Sequence, residues 1–206
     1  MGCSRRQFVA GIGVVAGGGA GFVFRQASAG GLGACLLRPP GARPEPDFLA
    51  ACVRCGQCVE ACPFDTLRLA VGARAGIANG TPYLDSREVP CYLCQGYDDL
   101  KCITACPTGA LGPVADITDI RMGVAVIDEQ LCLAYNGTIC RTCWHICPFP
   151  NQAIVFDQLL RPVVNSEVCI GCGLCDYACP TERSSIPIRP TGAVVASAVQ
   201  PEAERS

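Results

Sequence analysis

The alternation of apolar and polar positions predicts short elements separated by turns. Residues 8–24 form one apolar, glycine-rich run near the N-terminus. Further along, residues 48–51 are expected to form a short helix that begins after a capping Asp47. Residues 66–71 alternate as a β-strand does. The glycines, the proline and the Asn-Gly pair within residues 72–90 predict a connecting loop.

The second part of the chain contains an internal repeat. Residues 126–132 and 163–169 both have the pattern of a strand, an Asx turn and a cysteine. Residues 153–156 and 185–188 follow Cys-Pro pairs and predict returning strands. A strand, a cysteine loop, a short helix and a returning strand make half of a small bacterial ferredoxin. The pattern therefore predicts a loop-rich α+β chain built from two ferredoxin-like modules, ending in a mobile tail over residues 190–206.

Cysteine spacing supplies the chemistry. Sixteen of the 18 cysteines fall into four quartets, each closed by x3-Cys-Pro. The first and fourth quartets have the strict spacing C-x2-C-x2-C-x3-C-P, and the second and third each have one longer gap. In such a run three thiolates bind one iron–sulfur cube and the fourth reaches a different cube. The sixteen cysteines therefore predict four [4Fe-4S] clusters.

Zinc and disulfides are the competing explanations for so many cysteines. Structural zinc sites commonly use two knuckles separated by a longer gap, whereas a strict quartet is contiguous. Exported proteins usually form disulfides, but the repeated x3-Cys-Pro ending favours clusters. Cluster binding also contributes folding energy, which suits a chain with an aromatic content of only 6%.

The spacing leaves two pairings of the quartets open. Nested pairing, which we predict, joins strict with strict and relaxed with relaxed, giving an outer module of residues 47–71 plus 162–189 and an inserted module of residues 85–160. Its ligand sets are Cys52, Cys55 and Cys58 with Cys179; Cys169, Cys172 and Cys175 with Cys62; Cys91, Cys94 and Cys102 with Cys147; and Cys132, Cys140 and Cys143 with Cys106. Sequential pairing joins the first quartet with the second and the third with the fourth.

Residues 1–29 predict export to the periplasm. Residues 4–9 resemble a twin-arginine motif, and residues 27–29 form a small-residue cleavage site after the apolar run. An uncleaved anchor is an alternative, because an apolar run of about 17 residues is near the lower limit of a membrane span. Cys35 follows a lipoprotein-like box, so lipid anchoring also competes. The twin-arginine route carries folded, cofactor-loaded proteins, and residues 30–46 form a proline-rich extended lead-in.

Charge and missing motifs narrow the possible functions. The formal net charge of −2 becomes about −5 without the three arginines of the export signal, and four thiolate-bound clusters bring it to roughly −13. Such an acidic protein is not expected to bind nucleic acid, which requires basic patches. No phosphate loop, nucleotide fingerprint or catalytic triad is apparent. The sequence therefore predicts an electron carrier without a substrate site of its own.

Three further features have competing interpretations. His145, the one histidine of the chain, lies inside a complete quartet, so packing or surface exposure is favoured over ligation. Trp144 is expected to shield a cluster. The insertion at residues 97–101 forms either a partner-facing loop or a solvated turn, and Cys3 is incidental.

With these residues in view, the chain resembles the ferredoxin-type proteins of the NapG and MauM group. The matching stretches are residues 37–42, 51–59, 80–83, 106–111 and 121–126, together with the twin-arginine start. The resemblance implies four [4Fe-4S] clusters at the periplasmic face of the cytoplasmic membrane. It also implies a polytopic quinol-oxidising membrane partner and a periplasmic reductase or c-type cytochrome as acceptor. In the MauM branch it implies a role in methylamine metabolism.

One departure and two alternatives accompany this resemblance. The gap between Cys94 and Cys102 is wider than the family pattern leads us to expect. The chain could instead be the iron–sulfur subunit of a molybdenum oxidoreductase complex. A cluster-stabilised maturation factor is the other alternative.

Overall fold

The computed structural model describes residues 36–191, apart from the side chains at positions 73 and 74. Within this range the helices are α1 Glu45–Ala51, α2 Gln57–Glu60, α3 Lys101–Thr104, α4 Thr142–Ile146 and α5 Leu174–Ala178. The strands are β1 Leu67–Leu69, β2 Pro82–Leu84, β3 Gly123–Ala125, β4 Ile154–Phe156, β5 Pro162–Val164 and β6 Ile188–Pro190. The predicted loop-rich α+β chain is confirmed.

Several predictions concern residues beyond the described range. These are the export signal over residues 1–29, the incidental Cys3, the anchoring alternatives at residues 8–24 and Cys35, and the tail after residue 191. Inside the range, none of the helices is both long enough and apolar enough to cross a membrane.

The strands form three antiparallel pairs. β1 lies beside β2 with Leu67 opposite Leu84, and β4 lies beside β5 as a hairpin. β3 lies beside β6, which closes a unit running from residue 123 to residue 190. We call residues 36–112 the first half and residues 120–191 the second half.

This strand pairing contradicts the nested modules. β4 belongs to the predicted inserted module of residues 85–160, but it pairs with β5 of the predicted outer module. β3 and β6 pair across the same division. Both pairings lie within residues 123–190, so in the described range this part of the chain folds from consecutive residues and not as an inserted module.

Two local predictions are wrong in detail. Helix α1 begins after Pro44, and Asp47 lies in its first turn without capping it. Residues 72–90 are not a plain loop, because they contain a 3-10 helix at Ala73–Ala78 and strand β2. A strand can begin with proline. Pro82 was interpreted as a turn residue, and strand β2 was therefore not predicted.

The extended lead-in predicted over residues 30–46 is described from residue 36. Residues 36–44 are non-helical with a turn at residues 40–41, whereas Glu45 and Pro46 belong to α1. This segment is part of the core. The Arg38 side chain is buried, with a guanidinium that donates to both carboxylate oxygens of Glu45. It also donates to Thr81 Oγ1 at 2.8 Å and to the Pro82 carbonyl at 2.7 Å. Its charged carbon lies 4.7 Å from the centre of the Phe48 ring. One side chain therefore joins the lead-in, α1 and β2.

Replacing Arg38 with alanine is expected to destabilise the protein by about 2 kcal/mol, because it leaves buried acceptors without their charged donor. For a chain of this size the midpoint of thermal unfolding should fall by about 4–8 °C. The control is Arg68→Ala, which removes an exposed pair with Glu88 and should change the midpoint little. Equal midpoints for the two variants would contradict a structural role for Arg38.

Candidate metal centres

The two strict cysteine runs form tight turns before short helices. Gly56 and Gly173 adopt left-handed φ angles of 76° and 83° and precede α2 and α5. Two residues earlier, Arg54 and Gly171 have φ angles of 59° and 75°. These left-handed turns keep each run compact, so that the first three thiols of each strict quartet lie close together.

The first half contains two groups of four thiols. Site 1 is a cavity whose lining includes Cys52, Cys55, Cys58 and Cys106. Site 2 is a second cavity whose lining includes Cys62, Cys91, Cys94 and Cys102. The last cysteine of each quartet thus faces the cavity of the other quartet.

The second half repeats this exchange. Site 4 is a cavity whose lining includes Cys132, Cys140, Cys143 and Cys179. Site 3 is the group formed by Cys147, Cys169, Cys172 and Cys175. Burial, with the nearby Cys147 and Cys169 sulfurs, raises the pKa values of Cys172 and Cys175. All sixteen cysteines of the quartets are therefore gathered in four groups of four.

These groups correct the nested pairing. Cys62 stands with Cys91, whereas nesting placed it with the Cys169 run. Cys106 stands with Cys52, Cys147 with Cys169, and Cys179 with Cys132. The prediction was wrong because the spacing within a quartet sets only the length of its own loop. Each fourth thiol instead joins the quartet that is next to its own in the chain.

The arrangement of the sulfurs fits cubes better than single ions. Among the described residues no three cysteine, histidine or acidic side chains converge closely enough to hold one metal ion. All sixteen described cysteines are free thiols. Four sulfurs around a shared cavity, one of them delivered by the neighbouring run, is the donor set of a [4Fe-4S] cluster.

Burial makes several of these thiols hard to ionise in the absence of a cation. Burial, with the neighbouring Cys52, Cys106 and Cys55 thiolates, raises the pKa of Cys58 to about 11. Burial likewise raises the pKa of Cys143 to about 12 and that of Cys172 to about 12. Metal binding requires thiolates, so a positively charged iron core would relieve the repulsion that the fold creates by gathering them.

Cys106 of site 1 and Cys179 of site 4 are exceptions. Burial acts to raise the pKa of Cys106, but hydrogen bonds from the Leu111 amide and from Thr108 outweigh burial and lower the pKa. Burial also acts to raise the pKa of Cys179, but hydrogen bonds from Ser185 and Thr181 outweigh burial and lower the pKa to about 7. The Thr181 and Ser185 hydroxyl oxygens lie 3.0 and 3.3 Å from its sulfur, and the Ser185 amide nitrogen lies 3.5 Å away. These donors stabilise negative charge on the sulfur.

Sequence reasoning missed these hydroxyl groups, although the chain contains a signal for them. The fourth cysteines of sites 1 and 4 are followed by Pro-Thr, and those of sites 2 and 3 by Pro-Phe. Thr108 Oγ1 lies 3.9 Å from the Cys106 sulfur, a longer contact than that of Thr181. Two residues after the fourth cysteine, sites 1 and 4 therefore have a threonine hydroxyl, whereas sites 2 and 3 have a phenylalanine ring.

His145, Trp144 and the insertion at residues 97–101 lie beside the cysteine sites. His145 is exposed, as expected, and meets the Trp144 ring edge-on at 5.0 Å. Trp144 packs against the core cluster that contains Cys143. The insertion at residues 97–101 is a turn in which the Lys101 amide lies 3.4 Å from the Cys94 sulfur. The wider gap between Cys94 and Cys102 therefore supplies a hydrogen-bond donor to site 2.

Family models recognise both halves. A model described as a 4Fe-4S dicluster domain matches residues 51–110, which contain every cysteine of sites 1 and 2. A model described as a 4Fe-4S binding domain matches residues 160–181. The first match agrees with the sequential grouping of the first two quartets.

Similarity to named proteins extends over about three quarters of the chain. A methylamine utilization ferredoxin-type protein MauM of Methylorubrum extorquens is 47% identical over 166 residues, covering 75% of this chain and 72% of the relative. The ferredoxin-type protein NapG of Escherichia coli is 43% identical over 166 residues, covering 75% and 70%. The chain belongs to the NapG and MauM group of ferredoxin-type proteins. It is thus an iron–sulfur electron carrier of that type, and the resemblance seen in the sequence is confirmed.

A more distant relative of this NapG/MauM-type chain supports the same class. The ferredoxin-type protein NapF of Escherichia coli is 31% identical over 149 residues, covering 70% of this chain and 80% of the relative. The names of all three relatives describe ferredoxin-type proteins, which agrees with a carrier role.

The exchange of fourth ligands predicts a particular pattern in double variants. Cys62→Ala with Cys102→Ala should lose no more iron than Cys62→Ala alone, because both thiols belong to site 2. Cys62→Ala with Cys58→Ala should lose about twice as much, because two cubes are each deprived of a ligand. Iron analysis and EPR spectra of anaerobically purified proteins would measure this. The reverse pattern would contradict the grouping.

Removing the hydroxyl of Thr181 should make site 4 harder to reduce. Hydrogen bonds to sulfur help to set cluster potentials, and Thr181→Val removes one from Cys179. We expect the potential of one cluster to become about 30–60 mV more negative, a roughly three- to tenfold change in its reduced fraction at a fixed potential. An EPR-monitored redox titration would measure the shift. Thr118→Val, which removes an exposed hydroxyl bound to Asp116, is the control and should leave all potentials unchanged.

Proposed function

We propose that the protein is a periplasmic electron carrier that binds four [4Fe-4S] clusters. In this proposal it relays electrons from a quinol-oxidising membrane protein to a periplasmic acceptor such as nitrate reductase. The observation that carries the proposal is the gathering of sixteen thiols into four groups of four. Each group includes one thiol from a neighbouring run, as clusters in paired ferredoxin sites require.

All sixteen cysteines of sites 1 to 4 serve as ligands in this proposal. The bound cubes supply reversible one-electron chemistry. The chain's own residues hold the thiols, exclude water and place hydrogen-bond donors beside selected sulfurs. Ser185 and Thr181 do this for Cys179, and the Lys101 amide does so for Cys94.

Export as a folded, cluster-loaded protein belongs to the same proposal. The twin-arginine-like start of the sequence supports it, since that route accommodates cofactors inserted before transport. The carrier would then act at the periplasmic face of the cytoplasmic membrane, in contact with its quinol-oxidising partner.

A methylamine pathway is a second candidate for the electron partner. A relative at 47% identity is named for methylamine utilization, whereas the NapG relative at 43% identity has no substrate in its name. The alternative of a molybdenum oxidoreductase subunit differs from both, because it requires tight binding to a pterin-containing chain. Purification without dissociating the native complex separates these candidates.

Quinol should reduce the clusters only through the membrane partner. Anaerobically purified protein is expected to hold about sixteen irons. Mixed with a reduced quinol and membranes containing the partner, it should lose visible absorbance and develop the EPR signals of reduced clusters. Membranes lacking the partner are the control and should leave it oxidised. Fewer than about twelve irons would contradict the four-cluster proposal, and reduction that is equally fast with both membranes would contradict the proposed partner.

A further inference from the structure

The two halves meet at their inner cysteine sites. The Cys91 amide of site 2 donates to the Cys172 carbonyl of site 3 at 2.8 Å. These two residues are metal-ligand candidates in different halves, and one hydrogen bond joins their backbones. Sites 2 and 3 are therefore direct neighbours.

The remaining order follows from the short helices. Cys58 and Cys62 lie four residues apart at α2, and they line sites 1 and 2 respectively. Cys175 and Cys179 lie four residues apart at α5 and belong to sites 3 and 4. The four sites consequently form a row in the order 1, 2, 3, 4.

Exposure of the two strict runs agrees with this order. Val53 in the site 1 run is 63% exposed, whereas Ile170 at the same position of the site 3 run is 2% exposed. A side chain at Gly56 would meet nothing within 4 Å, but one at Gly173 would lie 2.3 Å from the Ser86 Cβ. Ser86 belongs to the first half, so the first half covers the site 3 loop and leaves the site 1 loop open.

The Arg87 side chain forms hydrogen bonds between the two halves. From the first half, its guanidinium donates to the carbonyls of Asp176 at 2.6 Å, Cys179 at 2.9 Å and Thr181 at 2.7 Å. Further contacts at 3.4 Å reach the carbonyls of Tyr177 and Glu182. These carbonyls lie at and beyond the C-terminal end of α5, where helix carbonyls lack partners within the helix and a cation is favourable.

The neighbouring Ser86 reinforces the contact. Its hydroxyl donates to Asp176 Oδ2 at 2.5 Å, and both side chains are buried. Residues 86–91 thus hold α5 at one end through Ser86 and Arg87, and the site 3 loop at the other through Cys91. Helix α5 connects Cys175 of site 3 to Cys179 of site 4, so the same segment supports two sites of the second half.

We propose that Arg87 is a positioning residue that holds sites 2 and 3 side by side, so that electrons cross between the two halves along the row of four sites. This inference rests on the proposed carrier function. In this proposal Arg87 does not bind a ligand sulfur directly. It acts by holding the backbone around Cys172, Cys175 and Cys179 in place.

Three variants of the cluster-loaded protein test the inference. Arg87→Gln removes the charge and the fork of donors, and Arg87→Lys keeps the charge without the fork. Arg68→Gln is the matched control, because Arg68 is also a first-half arginine but pairs with Glu88 at an exposed site. Iron content is measured first for all three proteins and for the parent protein.

Amide hydrogen exchange is the readout that does not depend on electron transfer. In Arg87→Gln, exchange in the peptide covering residues 86–94 should accelerate by at least about tenfold, because the Cys91 amide loses its protected position. Exchange in the β1–β2 peptides should stay unchanged. Arg87→Lys should give an intermediate acceleration, and Arg68→Gln should match the parent. If Arg87→Gln purifies with less iron than the parent, hydrogen exchange and electron redistribution are compared between Arg87→Lys and the parent instead.

Electron redistribution is the second readout. A flash-generated small reductant should first reduce the exposed site 1, and a slower spectral phase should follow as electrons spread through the row. Arg87→Gln with full iron should slow that second phase, and Arg68→Gln should not. Unchanged exchange at residues 86–94 and an unchanged slow phase in Arg87→Gln would overturn the role of Arg87. A parent protein without clusters would instead overturn the proposed carrier function.

Discussion

The structure depends on one constraint: each fourth cysteine must reach the cavity of the neighbouring quartet. Cys62 and Cys106 exchange places between sites 1 and 2, and Cys147 and Cys179 do so between sites 3 and 4. Such an exchange connects two cysteine loops at two sites, because each loop supplies one cysteine to the site of the other. The free energy of cluster binding would then contribute to the folding of both loops. The short strands between the quartets serve this exchange by bringing each run back to its partner.

The sulfur groups are also part of the core. Cys58, Cys102 and Cys172 are members of the larger buried cluster, and Cys143, Cys169, Cys175 and Cys179 are members of the smaller one. Apolar side chains such as Phe48 and Ile154 pack around them. Burial and neighbouring thiolates raise the pKa values of Cys58 and Cys143, so these sulfurs ionise readily only when a cationic core compensates their charge. Cluster binding is therefore expected to contribute to folding.

Sequence reasoning identified the chemistry and the class of fold, because ligand spacing in a ferredoxin loop is a local property. It failed on the pairing of the quartets, because similarity of spacing says nothing about which runs meet. It placed the strands β1 and β4 correctly and missed β2, whose first residue is a proline. Arg38 and Arg87 were also missed, since the structural role of an arginine is recognised only when its acceptors from distant parts of the chain are known. Arg38 bonds to Thr81, and Arg87 bonds to carbonyls some 90 residues further along.

Cysteine thiols of consecutive quartets are expected to share clusters, and the four clusters are expected to lie in one row. Anomalous diffraction at the iron edge, from crystals of anaerobically purified protein, tests this arrangement most directly. We expect four separate iron peaks in a row, with Cys62 on the same peak as Cys91 and Cys179 on the same peak as Cys132. A map in which Cys62 shares a peak with Cys169, or in which the sulfurs bind single ions or one another, would contradict it.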